Sequence, residues 1–153
     1  HALNSSAKLH HGTCYELREL ELSADIGLFS NLLVHLKEPI RAIESMASVV
    51  SETMIICDSE PFTESRLRAP LRLLCRRIPF AQFIPIDGDT GNTHTWWHLS
   101  PKLVANLLKV LGFTDLSILY FKSGLKSGHI KQWAIVAHRP QNRHNRSVQA
   151  TRN

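Results

Sequence analysis

Apolar and polar positions alternate along the chain in blocks that read as strands and helices in turn. Lys8 to Cys14 is a short strand candidate that runs into a turn, where Gly12 permits a close or left-handed backbone. Asp25 to Ser30 is mostly apolar and short, and predicts a strand buried on both faces. Pro39 then suits the first turn of a helix, having a fixed φ and no amide hydrogen to satisfy. Ile40, Ile43, Met46 or Ala47, and Val50 recur at helical spacing, with Arg41, Glu44 and Ser48 on the outer side. Glu52 to Cys57 follows as another buried strand. Strand, helix and strand with short joints predict a parallel βαβ unit with a right-handed crossover.

Asp58 to Thr95 is less regular, broken by Pro61, Pro70, Pro79 and Pro85. Arg66 to Arg77 has the spacing of a short amphipathic helix, with Leu67, Leu71 and Leu74 inward, and Asp87 to Asn92 reads as a loop and lid candidate. Ser100-Pro101 is a strong helix start, with Ser as N-cap and Pro at the first helical position. Leu103, Leu107, Leu108 and Leu111 make its expected inner stripe, and Gly112 its stop. Phe113 to Phe121 and Ile130 to His138 predict two strands joined by a loop over Lys122 to His129, close enough to pair antiparallel. The expected fold is α/β: a Rossmann-like, mostly parallel sheet with a C-terminal antiparallel hairpin.

Composition changes this picture little. At 153 residues, 43% hydrophobic and 20% charged, the chain has enough material for one core and is not a wholly disordered sequence. Ile26 to Leu36 is the longest nearly apolar run, well short of the roughly 20 residues that span a bilayer. Cys14, Cys57 and Cys75 are too few and scattered for a disulfide framework; Cys14 and Cys57 close apolar segments and read as buried free thiols in a reducing, cytoplasmic compartment. Charge is more informative. Of the net +5, four arginines (Arg139, Arg143, Arg146, Arg152) lie in an acid-free tail, leaving the body at +1. Residues 1–138 are therefore expected to form the domain, with 139–153 a disordered basic tail that adds nothing to stability. Arg66, Arg68, Arg72, Arg76 and Arg77 form a second basic cluster. Solvated surface explains both better than nucleic-acid binding, because no aromatic interleaves the tail.

Several stretches together resemble one family. Ala24 to Pro39, with its Leu33-Val-His-Leu36 and Pro39, is similar to the fourth strand and following turn of class I S-adenosylmethionine-dependent methyltransferases. Arg41-Ala-Ile-Glu44 and Glu52 to Cys57 resemble the next helix and strand. Trp96-Trp-His-Leu-Ser-Pro101 with Leu107 to Phe113 resembles a late helix ending in Gly-Phe before a hairpin, and Gly12 to Leu17 the loop after the third strand. The likeness covers roughly residues 1 to 138 and matches the C-terminal part of that fold, so the sheet is expected to be incomplete at its N-terminus. His1 to Ala7 itself reads as the last turn of a helix already under way, as in the remainder of a longer protein.

The resemblance implies S-adenosyl-L-methionine as cofactor, with Ser30, Asn31 and Leu32 at its methionine end and Thr13 and Cys14 at the adenine. Thr13 stands where the family often has Asp; a hydroxyl accepts a hydrogen bond without bringing charge. His35 is placed near the transfer site, as a general base or as the residue that fixes the turn. Trp96 and Trp97 point opposite ways if the segment is extended, so one packs while the other faces a substrate. His94 and His98 lack the Glu that a zinc-binding pair would carry, and no metal is expected.

The family's glycine-rich loop and ribose-binding acid have no counterpart here; the chain holds seven glycines and no Gly-x-Gly. Weak or no cofactor binding by this chain alone is therefore expected. Two readings result. In the first, the chain is part of a methyltransferase acting on an unidentified acceptor, a small molecule before others. In the second, it is a non-catalytic chain that binds nucleic acid or a partner protein through its basic segments. A strand left without its inner neighbour also predicts self-association or a partner chain, and nothing predicts a membrane.

Overall fold

The computed structural model describes residues 6–61, 73, 76–85, 94–125 and 128–140, the backbone alone at 125, 128 and 129. Leu67, Leu71, Leu74, Cys75, the Asp87 to Asn92 loop, most of the second arginine cluster and the chain beyond Pro140 lie outside the described residues. Six strands and two α-helices are described: β1 (Ala24–Ser30), α1 (Pro39–Val49), β2 (Val50–Ser59), β3 (Ala81–Phe83), β4 (Trp97–Leu99), α2 (Pro101–Val110), β5 (Asp115–Leu125) and β6 (Gly128–His138). Short 3-10 turns occupy Leu17–Leu20 and Leu33–His35.

The main sheet has the order β1-β2-β6-β5. β1 and β2 run parallel, joined through α1, with Ser30 opposite Cys57 at their C-terminal ends. β6 turns back from β5 and inserts between it and β2, antiparallel to both. This is the expected α/β architecture with its terminal hairpin. α1 and α2 pack into one core with Phe29, Met54, Ile56, Trp133 and Ile135. Gly27 is small because α1 approaches so closely: a Cβ there would stand 2.6 Å from Val50 Cγ2 and 2.8 Å from Met46 Sδ.

Several expectations need correction. Lys8 to Cys14 forms no strand, and its first five residues are exposed. β1 is buried on one face, not two: Gly27 and Phe29 point to the core, while Ile26 and Leu28 are 61% and 58% exposed. The cause is that α1 and α2 cover one side of the sheet; on the other side Leu119 and Phe121 are exposed as well. Ile40 is exposed, so the buried stripe of α1 is Ala42, Ile43, Met46 and Ala47. In α2 the buried line is Val104, Ala105 and Leu108, with Leu103, Leu107 and Leu111 half-buried beside it. β3 and β4 form a small antiparallel sheet that the irregular reading of this stretch did not contain.

Both ends of α2 follow from local sequence. Ser100 Oγ accepts from Leu103 N and from Phe80 N and donates to Ile78 O, so the cap also ties α2 to the segment before β3. Gly112 takes φ +91°; its amide donates to Lys109 O and that of Phe113 to Leu108 O, the paired bonds of a Schellman stop.

Arg139 is the largest departure from the expected tail. Its guanidinium donates to Ala47 O (2.7 Å) and Val50 O (3.2 Å) at the end of α1, and to Leu111 O (2.9 Å) at the end of α2. Its charge centre lies 4.2 Å from the centroid of the Phe113 ring. One cation therefore satisfies the orphan carbonyls of two helix C-termini, where the helix dipole favours positive charge. Hydrogen bonds to a charged group contribute more than neutral ones, so Arg139→Ala should cost about 2–4 kcal/mol. Urea unfolding checks this; an unchanged midpoint would mean that the three bonds contribute nothing.

Candidate functional site

In an α/β sheet, ligands gather at the C-terminal ends of the parallel strands. Here that edge is formed by Ser30, the turn that follows it, and the end of β2. Asn31 adopts φ +50°, a left-handed conformation that Asn tolerates better than most residues. Its amide donates to Cys57 O (2.9 Å), and its side-chain Oδ1 accepts from Gln132 Nε2 (2.7 Å) on β6. Leu32 is half-buried against the core and begins the 3-10 turn that ends at His35.

Beneath this turn lies Asp58, 5% exposed near the end of β2. Its Oδ2 accepts from Val34 N (3.2 Å), and its Oδ1 accepts from Ser59 N (2.7 Å) and Ser59 Oγ (3.4 Å). Burial raises its pKa above the ordinary carboxylate value; the bonds from Ser59 and Val34 and the nearby His35 offset part of that rise. Ser59 Oγ lies 3.4 Å from His98 Nδ1 on β4, and Ser59 O accepts from Trp133 Nε1 (3.2 Å). The carboxylate thus links the turn after β1 to the end of β2, and Ser59 extends the link to β4 and β6.

The 34–37 segment is also stitched to 94–97. His35 Nδ1 lies 2.6 Å from His94 O, Trp96 N donates to Val34 O (2.7 Å), and Trp97 Nε1 donates to Lys37 O (3.1 Å). A carbonyl can only accept, so His35 Nδ1 carries a proton and Nε2 is the acceptor nitrogen of the neutral ring. His35 is exposed, and its bond fixes the turn. Both tryptophans are half-buried. Trp96 lies under Lys37, whose Nζ is 4.9 Å from the ring centroid. Trp97 packs on Phe83 with centroids 4.9 Å apart and borders an apolar groove of about 390 Å³ with Pro39, Ile40 and Ala81.

Thr13 and Cys14 sit on the flank of α1. Thr13 Oγ1 accepts from Tyr15 N (3.3 Å), Leu17 N donates to Ser45 Oγ (3.0 Å), and Cys14 packs on the core. Burial raises the thiol pKa at both Cys14 and Cys57, which keeps them protonated and unreactive. No group of three metal-ligating side chains occurs among the described residues. Arg76, read above as part of a basic surface, instead donates twice to the buried Glu60 (2.8 and 2.6 Å) and stacks 3.8 Å from the Tyr120 ring centroid. Arg77 is exposed.

Sequence reading missed Asp58, Ser59, Gln132 and, except as a metal ligand, His98. A charged residue directly following a buried strand, at the edge where ligands bind, was the available signal for Asp58. Gln132 and His98 gave none, since each acts across more than thirty residues of chain.

No protein-family model matches the chain, and no curated protein matches it. Solved structures do. An O-methyltransferase family protein from Burkholderia thailandensis matches with a TM-score of 0.53 at 13% identity, over 88% of this chain and 36% of that one. A SAM-dependent methyltransferase from Methanosarcina mazei matches at 0.51 and 18% identity, over 76% and 59%. A SAM-dependent methyltransferase from Thermotoga maritima, described as a possible histamine N-methyltransferase, matches at 0.50 and 13% identity, over 84% and 62%. The fold is that of class I SAM-dependent methyltransferases, and the chain spans between 36% and 62% of the length of these three structures. No helix among the described residues is long and apolar enough to cross a membrane.

The raised pKa of Asp58 has a consequence for stability. Its folded form holds the proton more tightly than the unfolded chain does. Its contribution is therefore greatest below the ordinary carboxylate range and falls as pH rises from the unfolded to the folded pKa. Urea unfolding of the protein and of Asp58→Asn from about pH 4 to about pH 7 should show this fall in the former and lose it in the latter. Parallel profiles would contradict the assignment.

Proposed function

We propose that this chain is part of an S-adenosylmethionine-dependent methyltransferase. The observation that carries this reading is the polar edge at the ends of the parallel pair β1–β2, within a fold shared with solved methyltransferases. The cofactor would supply a methyl group already activated by its sulfonium, so the protein has chiefly to bind and orient the two reactants. Ser30, Asn31 and Leu32 would hold the methionine end. The fit there is supported by the strained φ of Asn31 and by the Gln132 bond that fixes its amide. Thr13 and Cys14 would border the adenine, where Thr13 offers a hydroxyl that already serves a local turn. Among the described residues none of these groups is an acid placed for the ribose hydroxyls. Trp97, which borders the groove, would face a small-molecule acceptor while Trp96 packs under Lys37, and His35, pinned through Nδ1, would hold the preceding turn. A cytoplasmic location belongs to the same proposal, Cys14 and Cys57 being free thiols.

A second reading is a non-catalytic chain that docks on a partner or on itself. One observation favours it: Ile26, Leu28, Leu119 and Phe121 are all exposed on the sheet face away from the helices.

Calorimetric titration with S-adenosylmethionine separates the two. Each unpartnered ribose hydroxyl costs on the order of 1–3 kcal/mol, so saturable but weak binding is expected. Asn31→Ala should weaken it further. No heat at millimolar cofactor, with self-association at micromolar protein, would favour the second reading.

A further inference from the structure

We propose that the groove between α1 and the small β3–β4 sheet binds an apolar amine, with its ring against Trp97 and its ammonium at Glu44. The ligand class follows from the groove alone; only the amine's role as methyl acceptor rests on the methyltransferase reading.

The pairing of β3 with β4 sets Ala81 opposite Leu99 and Phe83 opposite Trp97, so these four side chains share one face. Ala81, Trp97 and Leu99 line the groove from that face, and Pro39 and Ile40 line it from the first turn of α1. The wall is set before a ligand arrives. The Trp97 indole donates to Lys37 O (3.1 Å) and is backed by the Phe83 ring, 4.9 Å away between centroids, while Leu99 is buried. Binding to a wall fixed in this way costs little ordering. A volume of about 390 Å³ is within the range of small-molecule sites. It exceeds the roughly 150 Å³ that holds one benzene ring, which leaves room for a short chain. Ile40, 46% exposed, is covered once the ring is in place.

The charge on offer to a ligand comes from one residue. Lys37, Glu38, Arg41 and Glu44 all border the groove. Lys37 Nζ lies 4.9 Å from the centroid of Trp96, a ring that does not line it. Arg41 donates to Glu38 (3.1 Å), and its guanidinium stands 5.4 Å from the centroid of Tyr15, which is also outside the groove. Among the described residues Glu44 makes no hydrogen bond and no ion pair. It follows Ile40 by one helical turn and so stands on the same side of α1. An apolar wall beside one unneutralised carboxylate favours an ammonium on an apolar body, and it disfavours an anion of the same shape. Glu44 is exposed, so the ion pair adds no more than about fivefold to affinity and apolar contact supplies the rest.

Phenylpropylamine, phenylpropanol and phenylpropanoate share one ring and chain and differ in the charge at the end. Each is titrated without cofactor, and proton–nitrogen NMR follows the Trp97 indole and the Ala81 and Leu99 amides. For a ligand of this size a dissociation constant of about a millimolar is expected. The amine should bind about two- to fivefold more tightly than the alcohol, with the carboxylate weakest. In Glu44→Gln the amine should fall to the affinity of the alcohol, and the alcohol should keep its own. The indole of Trp133, buried in the core, should not move in either protein. No saturable shift at Trp97, equal affinity for amine and alcohol, a preference for the carboxylate, or an amine preference that survives Glu44→Gln overturns the proposal. S-adenosylmethionine is titrated separately. Its binding without that of the amine overturns this proposal alone, and amine binding without that of S-adenosylmethionine supports the ligand class and overturns the methyltransferase reading.

Discussion

A carboxylate removed from water loses several kcal/mol of hydration unless hydrogen bonds replace it. Asp58 is nearly enclosed, and its replacements come from two separate places in the chain: Val34 on the turn after β1, and Ser59 at the end of its own strand. The turn that carries Asn31, Leu32 and His35 therefore cannot shift without leaving a buried charge short of a donor. Val34 in turn accepts from Trp96, so the constraint passes to the segment entering β4. From there Ser59 meets His98. Val34, Ser59, Trp96 and His98 are thus within two hydrogen bonds of the one carboxylate.

The other end of the sheet is held by a cation in a comparable way. Arg139 gathers the carbonyls that end α1 and α2 and packs on Phe113, which follows the Gly112 stop. A Cβ on Gly112 would lie 2.9 Å from the Arg139 Nη1, so a glycine at this stop serves both its own positive φ and the neighbouring guanidinium. The helices are thus fixed at their C-termini by one side chain, and the functional edge is left to the hydrogen bonds around Asp58.

What could be read from sequence was local. Ser100-Pro101 and Gly112-Phe113 declare both ends of α2 because a cap is settled within four residues. Pro39 and the Ile43, Met46, Ala47 spacing did the same for α1. The resemblance carried Ser30, Asn31 and Leu32 to the edge where the strands end. Long-range partners were not legible. The register that sets Gln132 against Asn31, the bond from Val34 to Asp58 and the three bonds of Arg139 join residues 24 to 101 positions apart. Ile26, Leu28 and Ile40 misled for a related reason: an apolar residue in a strand or helix marks a surface fit for burial, and whether anything covers it is decided elsewhere.

The central claim is that Asp58 holds the turn at Val34, and amide hydrogen exchange reads it most directly. The Val34 and Trp96 amides should exchange slowly in the protein, and both should speed up markedly in Asp58→Ala, while amides of α2 keep their protection. Rapid exchange at Val34 in the unaltered protein, or protection at both amides that survives the substitution, would contradict it.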